Sequence, residues 1–318
     1  MGPVPNPGVF GRPMGAAIRK GMRMNATQGS AGAGVQLVRG LSELAVGKDL
    51  LVCDIWGVIH NGVSAFADSC AALARFRAGG GIVVLVSNAP RPFHLVRDML
   101  DRLGAPRDAW DAIVTSGDIT RGAIAERANL PVFMIGPGRD RPIFEGLGAD
   151  FVSVDEAGYV VCTGLFDDET ETAETYRATL ESLVARDVEM ICANPDLVVE
   201  RGDQLIPCAG AVAALYEQMG GRVLYAGKPH GPIYAAAFDM GERLKDATIA
   251  HDRILAIGDS IHTDVAGAVA AGIDVLFVAR GIHAHEVMTP GKLTPASVNE
   301  WALRQRVRPT ALIDHLRW

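Results

Sequence analysis

Four consecutive apolar residues, Leu50-Leu51-Val52-Cys53, are followed at once by Asp54 and then by two glycines, Gly57 and Gly62. A run without a polar face reads as a strand buried on both sides, as in a parallel sheet covered by helices. The pattern recurs along the chain. Ile82-Val83-Val84-Leu85-Val86 ends in Ser87-Asn88, Ala112-Ile113-Val114 in Thr115-Ser116-Gly117, and Ile254-Leu255-Ala256-Ile257 in Gly258-Asp259. Helical stretches intervene, over 65–77 (stopped by Gly79-Gly80-Gly81) and over 94–103. Buried strands alternating with helices predict an α/β fold, a doubly wound parallel sheet with polar strand ends along one edge.

From about Leu130 the character changes. A short strand ends at Gly136-Pro137-Gly138, acidic stretches follow (Asp155-Glu156, Asp167-Asp168-Glu169), and a helix is predicted over 172–186. A strand over 188–192 ends at Asn194-Pro195-Asp196. The pattern predicts a smaller α/β domain at 130–221, inserted between the halves of a core domain at 35–129 and 222–318. The runs 223–226, 254–257 and 275–278 are expected to resume the first sheet. Leu37, Leu41 and Leu44 are spaced for a helix over 35–45 beside the first strand. Residues 1–34 are rich in Gly, Pro and Met and contain no acid, and read as a disordered extension.

Composition excludes several classes. A net charge of −7, with no basic stripe interleaved with aromatics, gives no basis for nucleic-acid binding. No apolar run approaches the roughly 18 residues of a membrane span. The five cysteines are odd in number and form no C-x-x-C pair, as expected of reduced, buried thiols in a cytoplasmic protein. Cys208 is the one expected near a cleft. His283 and His285 form an isolated H-x-H that reads as a solvated loop.

Four strand ends carry chemistry in order: Asp54, Ser87-Asn88, Gly227-Lys228-Pro229, and Gly258-Asp259-Ser260-Ile261-His262-Thr263-Asp264. Phosphoryl transfer needs a nucleophile, hydroxyl and amide donors for phosphate oxygens, a cation, and carboxylates for Mg²⁺; each has a candidate here. The order and spacing resemble motifs 1 to 4 of the haloacid dehalogenase superfamily. Thr115-Ser116-Gly117, Asn194-Pro195-Asp196 and Pro207-x-Ala209-Gly210 resemble its class IIA branch, which includes p-nitrophenyl phosphatases. The resemblance spans about residues 45–285. It implies a Rossmann-like core with an inserted C2a-type cap and Mg²⁺-dependent hydrolysis of a small phosphorylated metabolite through an aspartyl-phosphate on Asp54. It further implies Mg²⁺ held by Asp54, the carbonyl of Trp56, Asp259 and Asp264; phosphate held by Ser87, Asn88 and Lys228; and a homodimer formed through the cap. Asn194, Asp196, Cys208 and Phe166 are the expected cap-side substrate contacts.

One position departs from the pattern. Where the family carries a second Asp, two residues after the nucleophile, to protonate the leaving group, this chain has Trp56. An indole N–H has no useful pKa for that task, though a tryptophan carbonyl binds a metal as well as an aspartate's. His60, His230 and His262 each adjoin a motif and are candidate replacements. The alternatives are transfer to an acceptor other than water, or phosphate-ligand binding without efficient turnover. Trp56 itself is either a hydrophobic plug or a stacking face for an aromatic substrate.

Overall fold

A computed structural model describes residues 35–201, 204–280 and 293–318. The N-terminal 34 residues and the His283/His285 pair, for which expectations were given above, lie outside the described residues. In chain order the strands are β1 (Gln36–Leu37), β2 (Leu50–Asp54), β3 (Ile82–Ser87), β4 (Ala112–Thr115), β5 (Val132–Ile135), β6 (Tyr159–Cys162) and β7 (Glu189–Cys192). They continue as β8 (Val198–Arg201), β9 (Gln204–Pro207), β10 (Arg222–Tyr225), β11 (Ile254–Gly258), β12 (Asp274–Val278) and β13 (Ala311–Ile313). Two compact units emerge, one holding 88–96 and 115–233, the other the remaining described residues.

The second unit is built on a seven-stranded sheet in the order β1-β13-β12-β11-β2-β3-β4. The central pairs β2–β3, β2–β11 and β11–β12 are parallel. Every residue of β2 and β11 is buried, which is why both read as unbroken apolar runs. The helices Ala67–Ala78 and Phe93–Arg102 lie where the spacing places them. Phe277 of β12 stacks on the fully buried Trp301 at 4.9 Å between ring centroids.

The first unit carries a four-stranded sheet, β10-β7-β6-β5, parallel throughout, and the antiparallel hairpin β8–β9. Alternate residues serve two cores. Val160 and Cys162 of β6 join Leu180, Leu183 and Tyr216 in one, while Tyr159 and Val161 join Ile143 and Phe144 in the other. All five cysteines are buried and none is in a disulfide, in accord with the composition.

Three expectations need correction. Residues 35–45 form no continuous helix: Val38 N–H donates to Leu312 carbonyl at 3.0 Å and β1 pairs with β13, leaving only the short helix Ser42–Ala45. At the bend between them a Cβ on Gly40 would fall 2.4 Å from the Trp318 carbonyl oxygen, so the chain end packs where a helical side chain would project. The run 223–226 does not resume the first sheet, since β10 pairs with β7, Tyr225 opposite Cys192. The helix expected over 172–186 is a 3₁₀ turn, Ala173–Tyr176, followed by an α-helix, Arg177–Ala185. Apart from these three, the segment expected at 130–221 falls within the unit of 88–96 and 115–233. No helix among the described residues is long and apolar enough to cross a membrane.

Candidate active site

β2 and β11 are neighbours at the point where the strand order reverses, running outward to β4 on one side and through β12 to β13 on the other. Open α/β sheets bind ligands at the carboxyl ends of such a pair. Ile257 pairs with Cys53, so Asp54 closes β2 while Asp259 follows β11 by one residue. Asp264 arrives on one turn of π-helix, Ile261–Val265. Its Oδ2 accepts the Ser260 N–H at 3.1 Å, and Tyr234 Oη donates to its carbonyl at 3.1 Å. Oxygens of Asp54, Asp259 and Asp264 lie within 4.8 Å of one another, and these residues are only 9%, 3% and 3% exposed.

Two glycines make this approach feasible. A Cβ on Gly57 would stand 2.1 Å from Asp259 Oδ2, and one on Gly258 2.1 Å from Asp264 Cγ. Gly57 also has φ +79°, where a side chain is strained. Three carboxylates drawn together out of water repel one another. A hard divalent cation with oxygen ligands relieves that repulsion, so the residues present fit Mg²⁺. Asp54 pairs with Val86 of β3, and Ser87 therefore emerges one residue further along the same edge.

The loop after Asp54 is tied down by its own backbone. Gly57 N–H donates to His60 carbonyl at 2.9 Å, Ile59 N–H to Ile55 carbonyl at 2.8 Å, and Phe66 N–H to Ile59 carbonyl at 2.7 Å. His60 is fully buried, and its Nδ1 accepts the Gly62 N–H at 2.9 Å. Burial lowers its pKa, and the ring has no solvent-exposed surface. His60 is therefore a structural residue, not the missing acid. His230 stacks on Tyr225 at 4.3 Å and is likewise held below its usual pKa by burial. Of the three histidines only His262 is exposed, on the turn that carries Asp264.

In the other unit, Asn194, Asp196 and Lys228 follow the carboxyl ends of the neighbouring strands β7 and β10, where Ala226 N–H donates to Cys192 carbonyl at 3.0 Å. Asn88 joins them. Its Oδ1 accepts the Lys228 N–H at 2.8 Å, while Nδ2 donates to the Lys228 carbonyl at 3.1 Å and to Asp196 Oδ1 at 2.9 Å. The carboxamide thus brackets the Lys228 backbone on both sides, so its side chain acts as a clamp and not as the phosphate donor expected from its motif. Asp196 N–H in turn donates to Asn194 Oδ1 at 3.1 Å. Gly227 cannot bear a side chain here, since a Cβ would fall 2.5 Å from Asn88 Oδ1 and 3.0 Å from Ser116 Oγ. Thr115 and Asp118 form a reciprocal cap on the helix Ser116–Ala125, and burial raises the Asp118 pKa. Cys208 is buried at the start of the helix Ala209–Gln218, and Phe166 is half exposed.

Asn88→Asp puts a carboxylate oxygen opposite the Lys228 carbonyl and the Asp196 carboxylate. It should lower stability by about 2–4 kcal/mol, more than Asn88→Ala, which leaves no repelling group. Thermal midpoints of the two variants measure this; equal midpoints would mean the clamp is not formed.

Comparisons with known proteins agree with this geometry. A family model described as haloacid dehalogenase-like hydrolase matches residues 51–150, and a second, described as HAD-hydrolase-like, matches residues 225–317. The crystal structure of a hydrolase of the haloacid dehalogenase-like family from Brucella suis 1330 is 46% identical, with a TM-score of 0.76, covering 88% of this chain and 100% of that one. The 5'-nucleotidase YutF of Bacillus subtilis is 24% identical over 78% of this chain and 95% of its own length. The ribonucleotide monophosphatase NagD of Escherichia coli K12 is 24% identical over 73% and 88% respectively.

Proposed function

The chain belongs to the haloacid dehalogenase-like hydrolase family, in its class IIA branch, and we propose that it is a Mg²⁺-dependent phosphatase of small phosphate monoesters. The observation that carries this reading is the convergence of Asp54, Asp259 and Asp264 at the reversal point of the sheet. Relatives named as a 5'-nucleotidase and a ribonucleotide monophosphatase support the reaction class.

Asp54 is the proposed nucleophile. One of its carboxylate oxygens attacks phosphorus, the bond from phosphorus to the ester oxygen breaks, and the alcohol leaves as its anion or takes a proton from solvent. Water then attacks phosphorus, loses a proton, and releases inorganic phosphate with the Asp54 carboxylate restored. Asp54, Asp259, Asp264 and the carbonyl of Trp56 would hold Mg²⁺, which when bound neutralises charge on the phosphate oxygens. Ser87, the backbone of Asn88 and the ammonium of Lys228 are proposed to bind those oxygens. The indole of Trp56 cannot deliver a proton, so esters with stable leaving anions should turn over best.

Phosphate release from p-nitrophenyl phosphate and a panel of alkyl phosphates, with Mg²⁺ and with a chelator, tests this reading. Release should depend on the metal and fall by about 10²-fold or more on chelation. Unaltered release after chelation would refute the proposed metal site, and no release from any ester would refute the phosphatase.

A further inference from the structure

Trp56 is the largest side chain on the loop that leaves Asp54, yet it is 49% exposed. Tryptophan normally buries most of its ring, and one kept half in water two residues after Asp54 calls for a reason. A loose surface side chain is not the explanation, because the indole is clamped. Gly62, at φ +85°, lies so close beneath it that a Cβ would stand 2.7 Å from Trp56 Cη2 and 3.3 Å from Cζ3. The His60 ring meets it edge-on at 5.1 Å between centroids and 81° between planes. His60 is itself fixed by full burial and by the Gly62 N–H on its Nδ1. A hydrophobic plug would be covered on both sides, whereas this ring is seated on the loop and open to water over half its surface.

Its position is equally specific. Gly57, the next residue, abuts the Asp259 carboxylate so closely that it has no room for a Cβ. The Trp56 backbone is therefore one residue from the contact with the proposed metal-binding carboxylates, and its ring is held by Gly62 and His60 before any ligand arrives. A pre-positioned aromatic surface costs a ligand little ordering entropy and favours planar rings over alkyl chains.

We propose that Trp56 is a specificity-determining platform and that the substrates are phosphate monoesters whose leaving group is an aromatic ring close to the ester oxygen. This rests on the phosphatase reading, and it fits the absence of an acid at the same position: phenols form more stable anions than alkyl alcohols and depend less on a proton donor. One residue thus accounts for both the lost acid and the substrate class.

The test is calorimetric binding of phenylphosphonate and methylphosphonate, with Mg²⁺, to the wild type, Trp56→Phe and Trp56→Leu. The wild type should prefer the phenyl compound by about 10-fold. That preference should persist in Trp56→Phe and vanish in Trp56→Leu. An undiminished preference in Trp56→Leu overturns the platform while leaving the phosphatase reading intact. Failure of both phosphonates to bind the folded wild type overturns the phosphatase reading and the platform with it. Should Trp56→Leu not fold, quenching of indole fluorescence by 4-nitrophenylphosphonate in the wild type, absent in Trp56→Phe, reads the same contact, and equal quenching in both overturns it.

Discussion

Asp54→Asn should reduce Mg²⁺-dependent phosphate release by on the order of 10⁴-fold or more, while the protein folds as well as before. The carboxamide is isosteric with the carboxylate but carries no negative charge, so it does not attack phosphorus. Its effect on stability has a definite sign. Asp54, Asp259 and Asp264 crowd three carboxylates within 4.8 Å, and the substitution removes one charge from that set. Without metal, the thermal midpoint of Asp54→Asn should equal or exceed that of the wild type; with Mg²⁺, the wild type should gain more from the added ion. Phosphate assays and paired melting curves read both effects. Retained activity would place the nucleophile elsewhere, and a sharply lower metal-free midpoint would contradict the repulsive cluster.

Trp56→Asp is expected to act in the opposite direction, and selectively. An aspartate at this position supplies a carboxyl able to protonate a leaving alkoxide, an effect worth roughly 10²–10⁴-fold where the leaving group needs it. Release from alkyl phosphates should rise by about 10²-fold. Release from p-nitrophenyl phosphate, whose leaving anion is stable unprotonated, should change little or fall as the aromatic surface is lost. The ratio of kcat/KM for the two ester types measures this. A uniform change across both would mean that the departure from the family pattern at position 56 does not limit turnover.

The parts legible in the sequence are those encoded locally. Leu50-Leu51-Val52-Cys53 must be buried on both faces, and the structure places it inside the seven-stranded sheet, between β11 and β3. Asp54 ends one apolar strand, Asp259 follows another by one residue and Asp264 lies on the turn beyond, and the three do converge. Partner choice is another matter. β10 and β11 are both short apolar runs, and nothing within Arg222–Tyr225 says that it pairs with β7 and not with a core strand. β1 is a strand only because β13, far along the chain, offers it an edge. The same limit applies at the site. Asn88 stands beside Ser87 in a phosphate-binding pattern, but its carboxamide is committed to a backbone 140 residues away. His60 looks available beside Asn61 and Gly62, yet the closure of the loop by Phe66 on Ile59 is what encloses it. Trp56 was recognisable as a departure; its exposed, clamped ring needed the fold.

In the proposed reaction Asp54 carries the phosphoryl group. This is tested most directly by quenching the enzyme during turnover of p-nitrophenyl phosphate and reducing it with borohydride, which converts an aspartyl-phosphate to homoserine. Peptide mass spectrometry should then find homoserine at position 54 in the presence of Mg²⁺ and none in the metal-free control. Homoserine at another aspartate, or an unmodified position 54 in an enzyme that is releasing phosphate, would contradict the account.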